Sequence, residues 1–107
     1  MRKRTDNVQK DIVNGLRKYG VSVAIISDTG GGVPDLLCGY GGINYLVEAK
    51  DPKRKDSSIH TYTDAQRDFR RDWNGEIITA RSLDEAWEQI KNKSIYLIMS
   101  NIKDAVL

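Results

Sequence analysis

Val33-Pro34-Asp35-Leu36-Leu37-Cys38-Gly39-Tyr40, then Gly41-Gly42, then Ile43-Asn44-Tyr45-Leu46-Val47-Glu48-Ala49-Lys50 form one continuous stretch, two largely apolar runs around a pair of glycines. Gly-Gly is a favoured two-residue hairpin turn because both central positions need positive φ. With Gly41-Gly42 as the turn, Tyr40 faces Ile43 and every opposed pair of residue numbers sums to 83. Leu36 then meets Val47, Leu37 meets Leu46, and Asp35 comes directly opposite Glu48. Opposed side chains have Cβ atoms only about 4.5–5.5 Å apart, so two carboxylates placed there repel unless something compensates. Lys50 lies two residues beyond Glu48, and the strand period of two puts it on the same face.

Outward from this hairpin, periodicity sets the rest. Val8, Ile12, Leu16 and Tyr19, with Val13 beside them, form a helical stripe that Gly20 ends at a C′ position. Val21 to Ile26 is a short β-branched run that reads as a strand with both faces covered. Ser27 to Gly32 is a flexible loop, and Pro34–Cys38 and Ile43–Ala49 are the two hairpin strands. Thr63 to Trp73 reads as a helix with Ala65, Phe69 and Trp73 in line, stopped by Asn74-Gly75. Glu76–Ala80 is a further strand. Ser82 with Glu85 forms a capping box before an amphipathic helix through Leu83, Ala86, Trp87 and Ile90. Ser94–Met99 reads as a last apolar strand. The order α-β-β-β-α-β-α-β describes an α/β domain with a mixed sheet flanked by helices.

At 107 residues, 39% hydrophobic and 30% charged, the chain suits one globular domain spanning 1–107, and excludes a disordered tail or a coiled coil. The single cysteine, Cys38, excludes an internal disulfide, and the single histidine, His60, excludes a paired-histidine zinc site. No run approaches a membrane span, and Arg2-Lys3-Arg4 is followed by polar residues where a signal peptide needs its apolar region. An intracellular setting, the cytoplasm of a bacterial or phage-infected host cell, is the expectation. Residues 1–71 carry 13 basic and 9 acidic side chains, residues 72–107 carry 4 and 6, so a net +4 front meets a net −2 back. That asymmetry favours a polyanionic partner on one face.

Two carboxylates and a lysine at a strand end can hold a hard divalent cation and a polarised water, and oxygen ligands suit Mg²⁺ or Mn²⁺. The bland alternative is an ordinary cross-strand pair of acid and lysine. Three features argue for chemistry. Pro34 fixes the chain as it enters the strand. Gly30-Gly31-Gly32 keeps the approach free of side chains. Lys53-Arg54-Lys55 follows the site at once, with cations available to phosphates.

Val33-Pro34-Asp35 followed by Val47-Glu48-Ala49-Lys50 resembles the PD-(D/E)-x-K nuclease signature. The wider pattern is closer still to the small VRR-type nuclease domain of that restriction-endonuclease-like superfamily, in its stand-alone phage-like form. That pattern includes a first helix ending in Leu16-x-x-x-Gly20, a Gly-rich loop into Pro-Asp, and Thr63-x-x-Gln66 with Phe69. A Gly75-led strand and Ser82-Leu83-Asp84-Glu85-Ala86 complete a match over about residues 6–92. The resemblance implies Mg²⁺-dependent hydrolysis of DNA phosphodiesters, with Mn²⁺ able to substitute. It implies that Asp35, Glu48 and the main-chain carbonyl of Ala49 ligate the ion and that Lys50 orients the attacking water. Gln66 matches the family's glutamine near the site, although Thr63 and Gln66 also make a capping box. The family's first-helix glutamate falls on Gln9, a weaker ligand that Asp6 or Asp11 could replace. Lys53, Arg54, Lys55, Gly31 and Gly32 are the expected DNA contacts.

The expectation is a structure-selective DNA endonuclease, similar to Holliday-junction resolvases, that acts on branched DNA as a homodimer through Ile95–Met99 and Ile102. A catalytically silent DNA-binding module on the same fold and a protein-interaction domain are the alternatives. Cys38 reads as core, His60 as solvated, and Arg67, Arg70 and Arg71 as a solvated helix face or a phosphate track.

Overall fold

The computed structural model describes residues 4–106, with side chains over residues 7–103; Arg2 and Lys3 of the basic N-terminal run lie outside the described residues. Helix α1 (Arg4–Lys18) is followed by strands β1 (Ser22–Ile25), β2 (Leu36–Tyr40) and β3 (Ile43–Ala49), and a short 3₁₀ turn at Asp56–Ser58. Helix α2 (Asp64–Asp72), strand β4 (Glu76–Ala80) and helix α3 (Leu83–Val106) complete the chain. The four strands lie in sequence order, with β1–β2 and β2–β3 antiparallel and β3–β4 parallel, so the sheet is mixed as expected.

The hairpin takes the register that its sequence dictates. Leu36 pairs with Val47, Leu37 with Leu46, and Tyr40 with Ile43, while Gly41 and Gly42 sit at φ +60° and +78°. Alternation then divides the sheet into two faces. Leu36, Cys38, Tyr45, Val47, Ala49, Ile78 and Ala80 point to one side, where Val8, Ile12, Val13 and Leu16 of α1 and Ala86 and Ile90 of α3 complete the core. Leu46, Glu48 and Thr79 are buried on the opposite face. Cys38, 1% exposed, is the core residue expected, and burial pushes its thiol up to about 11.

Helix α1 ends as its sequence says. Gly20, at φ +86°, follows two closing bonds, Gly20 N–H to Arg17 O (3.1 Å) and Val21 N–H to Leu16 O (3.0 Å), which form a Schellman motif. Tyr19 leaves the core stripe and stacks on Trp87 at 4.7 Å, with Tyr40 meeting the same indole edge-on at 5.3 Å.

Two expectations need correction. The strand at 21–26 is not covered on both faces: β1 is an edge strand, pairs only with β2, and leaves Ser22, Ala24 and Ile25 exposed. The segment Ser94–Met99 is not a strand but the middle of α3, so the order ends α-β-α. No glycine or proline follows Gly75 to stop the helix. Ala86, Ile90 and Ser94 instead continue one stripe at intervals of four, all buried. Ser94 is retained in that stripe by its hydroxyl, 2.6 Å from the buried Tyr45 hydroxyl. Among the described residues no helix is long and apolar enough to cross a membrane.

The Tyr45–Ser94 bond tests the continuity of α3. Either Tyr45→Phe or Ser94→Ala leaves one buried hydroxyl unpaired and costs about 1–3 kcal/mol in urea unfolding. The double variant loses clearly less than the sum of the two.

Candidate active site

Lys50 and Ala49 leave β3 facing opposite ways. The Lys50 N–H turns to β4 and donates to Ala80 O (2.9 Å), whereas the Ala49 N–H turns to β2 and donates to Asp35 Oδ2 (2.9 Å). That second bond replaces the next rung of the hairpin ladder with a side chain, and it holds the Asp35 carboxylate at the end of β3. In an extended strand a residue's N–H and C=O leave on the same side, so the Ala49 carbonyl faces the Asp35 side as well. Ile26 N–H donates to Asp35 O (2.8 Å) and fixes the backbone behind it.

Glu48 occupies the back face of the sheet and is 8% exposed. Its carboxyl is raised from an ordinary 4.5 to about 7, by burial first and by the Asp35 charge second, against the lowering pull of Lys50 and Arg70. The Glu48 and Asp35 carboxylates therefore sense each other, as the hairpin register requires. Gln66 donates from Nε2 to Glu48 Oε1 (3.1 Å).

Both readings of Gln66 hold together. Its Oε1 accepts from Thr63 N–H (2.9 Å), and its own N–H donates to Thr63 Oγ1 (3.2 Å), which makes the capping box that starts α2. The cap leaves the amide nitrogen pointing at Glu48. Gly32, at φ +80°, packs so closely on the Ala65 carbonyl and the Gln66 N–H that a Cβ there would overlap both. The Gly-rich loop thus presses against the turn that carries Gln66.

The Lys50 ammonium donates to Thr61 O (2.8 Å) and lies 4.8 Å from the centre of the Tyr62 ring. Burial lowers its pKa, Glu48 raises it, and Arg54 and Arg70 lower it again. Arg70 lies over the same Tyr62 ring at 3.9 Å and donates to Thr79 Oγ1 (3.0 Å). The Tyr62 hydroxyl is 2.7 Å from Thr79 Oγ1 and 2.7 Å from His60 Nδ1, so His60 is tied to the network rather than merely solvated.

Tyr62, Thr79 and Arg70 were not among the expected site residues. Arg70 carries a signal in the sequence: it lies four residues after Gln66, on the same helical face. Arg67 and Arg71 keep the solvated positions expected of them, paired with Asp64 and with Asp68 and Asp72.

The remaining expected residues lie further out. Lys53, Arg54 and Lys55 are exposed in the loop after Lys50, which Arg81 ties down through Arg54 O (2.6 Å), Asp56 (2.8 Å) and Glu85 (2.5 Å). The Glu85 carboxylate closes on Arg81 rather than on Ser82, so only half of the expected capping box forms, Glu85 N–H to Ser82 Oγ (3.1 Å). Gly31 is exposed beside α2. Gln9 is half-buried on α1 and hydrogen-bonds none of these groups, and Asp11 lies with Lys53 and Asp84 along a groove of about 520 Å³. Among the described residues no three His, Cys, Asp or Glu side chains cluster to hold a metal.

The residues present nonetheless fit a hard divalent cation. Two mutually repelling carboxylates and a main-chain carbonyl form an all-oxygen donor set, and Mg²⁺ commonly binds through one or two carboxylates, completing its shell with water and phosphate. No family model matches the sequence, and no curated protein matches it. Among solved structures the chain is similar to one described as a "VRR_NUC domain", with a TM-score of 0.59 and 23% sequence identity. The similarity covers 84% of this chain and 97% of that one, and it shows that the two share a fold.

Without divalent cations, the raised Glu48 carboxyl makes stability fall as pH rises from about 4.5 to about 7, because the folded chain holds a proton that the unfolded chain releases. Above that window the penalty is constant. Glu48→Gln removes this slope, and urea unfolding at pH 8 should find it more stable than wild type by on the order of 2 kcal/mol.

Proposed function

We propose that this protein is a metal-dependent DNA endonuclease, structure-selective and resolvase-like, that hydrolyses phosphodiester bonds as a homodimer. The supporting observation is the Asp35 carboxylate held by Ala49 N–H at the end of β3, where Asp35, Glu48 and Lys50 act on one another through their charges. The similar solved structure, described as a "VRR_NUC domain", supports the same reading.

Asp35, Glu48 and the Ala49 carbonyl would hold Mg²⁺, with Mn²⁺ able to replace it. When bound, the ion would supply Lewis-acid polarisation of the phosphate and would make water a stronger acid. The chain's own residues do the rest. Lys50, fixed by the Thr61 carbonyl and the Tyr62 ring, orients the attacking water and offsets negative charge developing on the phosphate. Gln66 fixes the Glu48 carboxylate by donating to Oε1. Arg70 keeps a second positive charge beside the acidic pair. Lys53, Arg54 and Lys55 neutralise phosphates along the strand being cut. Such contacts read backbone shape, which suits branched DNA over any base sequence.

Symmetric cutting of two strands calls for two copies about a two-fold axis. The second half of α3 offers the surface: Ile95, Tyr96, Ile98, Met99 and Ile102 are exposed, Tyr96 by 70% and Met99 by 64%. A contiguous apolar patch of this kind marks an interface.

Incubation with four-way junction, flap and linear duplex DNA, with and without Mg²⁺, tests the reading: cleavage requires the ion and prefers branched substrates. Calorimetry should find Mn²⁺ binding that Asp35→Asn abolishes. Lys50→Ala keeps that binding while cleavage falls about 100-fold or more. Metal binding with no cleavage of any substrate would leave only a DNA-binding module. In sedimentation the wild type runs as a dimer, and Met99→Glu with Ile102→Glu runs as a monomer of unchanged helix content.

A further inference from the structure

Helix α2 has an apolar stripe that packs against nothing in the core. Ala65 and Phe69, with Trp73 at the extended residue that closes the helix, recur at intervals of four, the spacing of a buried face, yet no residue of α2 is buried. The face turned to the sheet is the polar one, Gln66 and Arg70. The apolar stripe instead lines an open groove of about 420 Å³ with Gly31, Asp68 and Asp72. The Phe69 and Trp73 rings are stacked there, with centroids 5.2 Å apart and planes 19° from parallel, and Trp73 is 47% exposed.

We propose that this groove receives an unpaired nucleobase of the DNA substrate. The inference rests on the nuclease reading above. A parallel pair of aromatic rings with an open end is a surface that a third flat ring can extend, and base–aromatic stacking tolerates any base. Gly31 lines the groove too and adds no side chain to it, so the groove stays open beside the rings.

Asp68 and Asp72 also line the groove; each is paired with Arg71, and their carboxylates can further accept hydrogen bonds from the amino groups of cytosine, adenine or guanine. The groove and the acidic pair flank the same turn of α2: Ala65 lines the groove, and the next residue, Gln66, donates to Glu48. A strand that crosses this turn from Asp35 and Glu48 would bring a neighbouring nucleotide to Phe69 and Trp73. In intact duplex that base is paired and stacked; at a branch or flap it is free.

Trp73 and Trp87 are the only tryptophans, so intrinsic fluorescence reports the slot directly. In EDTA, where cleavage is blocked, a cytosine single strand of about 15 nucleotides should quench the emission. The quench persists in Trp87→Phe, is lost in Trp73→Phe, and is absent with a blunt duplex of the same length. Trp73→Leu weakens single-strand binding about tenfold, read by anisotropy of a labelled strand, and leaves duplex binding unchanged. The proposal is overturned if the single strand binds without altering Trp73 emission, if no single strand binds, or if Trp73→Leu weakens duplex equally. It is also overturned if Trp73 emission changes with protein concentration alone and Trp73→Leu dissociates a dimer, which would assign the slot to a second copy. A Trp73 response that survives while no substrate is cut in Mg²⁺ supports the slot and removes the nuclease reading.

Discussion

A carboxylate buried against another carboxylate is the constraint around which this small domain is organised. The Gly41-Gly42 turn fixes the hairpin register, the register sets Asp35 against Glu48, and burial of Glu48 makes that juxtaposition costly. Much of the back of the sheet answers this cost. Lys50 and Arg70 bring opposite charge, Gln66 brings a hydrogen bond, and Ala49 N–H holds Asp35. Helix α2 illustrates the priority: it is joined to the sheet by polar contacts to Glu48 and Thr79 while its apolar stripe stays in the open.

The two faces of the sheet consequently do different work. The front face, with α1 and the first half of α3, is apolar and supplies the burial that stabilises the fold. The back face carries the polar groups on which the proposed chemistry depends. Tyr62 joins them: its ring lies under both Arg70 and Lys50, and its hydroxyl links His60 to Thr79. Arg81 then fastens the intervening loop to the start of α3. Lys50 is thereby anchored by a segment about a dozen residues further along the chain, without a buried side chain of its own in that segment.

The hairpin, the Schellman end of α1, the start of α2 and the extent of β4 were all legible because each rests on local chemistry: turn glycines, a capping box, a period of two or four. The acidic pair was legible for the same reason, since the register follows from the turn. What escaped depends on tertiary placement. β1 has the composition of a central strand, and only its position at the edge exposes it. Ser94–Met99 has β-branched residues suited to a strand, but the stripe from Ala86 through Ser94 and a hydroxyl partner on Tyr45 keep it helical. The Ala65–Phe69–Trp73 stripe looks like a core face, and Arg70 like a solvent face; the demand of Glu48 for polar neighbours reverses both.

The hairpin register also limits how this gene segment can vary. Outside the Gly41-Gly42 turn, substitutions between Leu36 and Val47 alter packing by degrees, but insertion of one residue into either arm would turn every side chain beyond it to the other face of the sheet. Glu48 would then enter the hydrocarbon side among Val8 and Ile12, and a core valine would take its place beside Asp35. The stretch is thus free in spelling and rigid in length, a signature by which divergent copies of this domain can be aligned when little else in their sequences agrees.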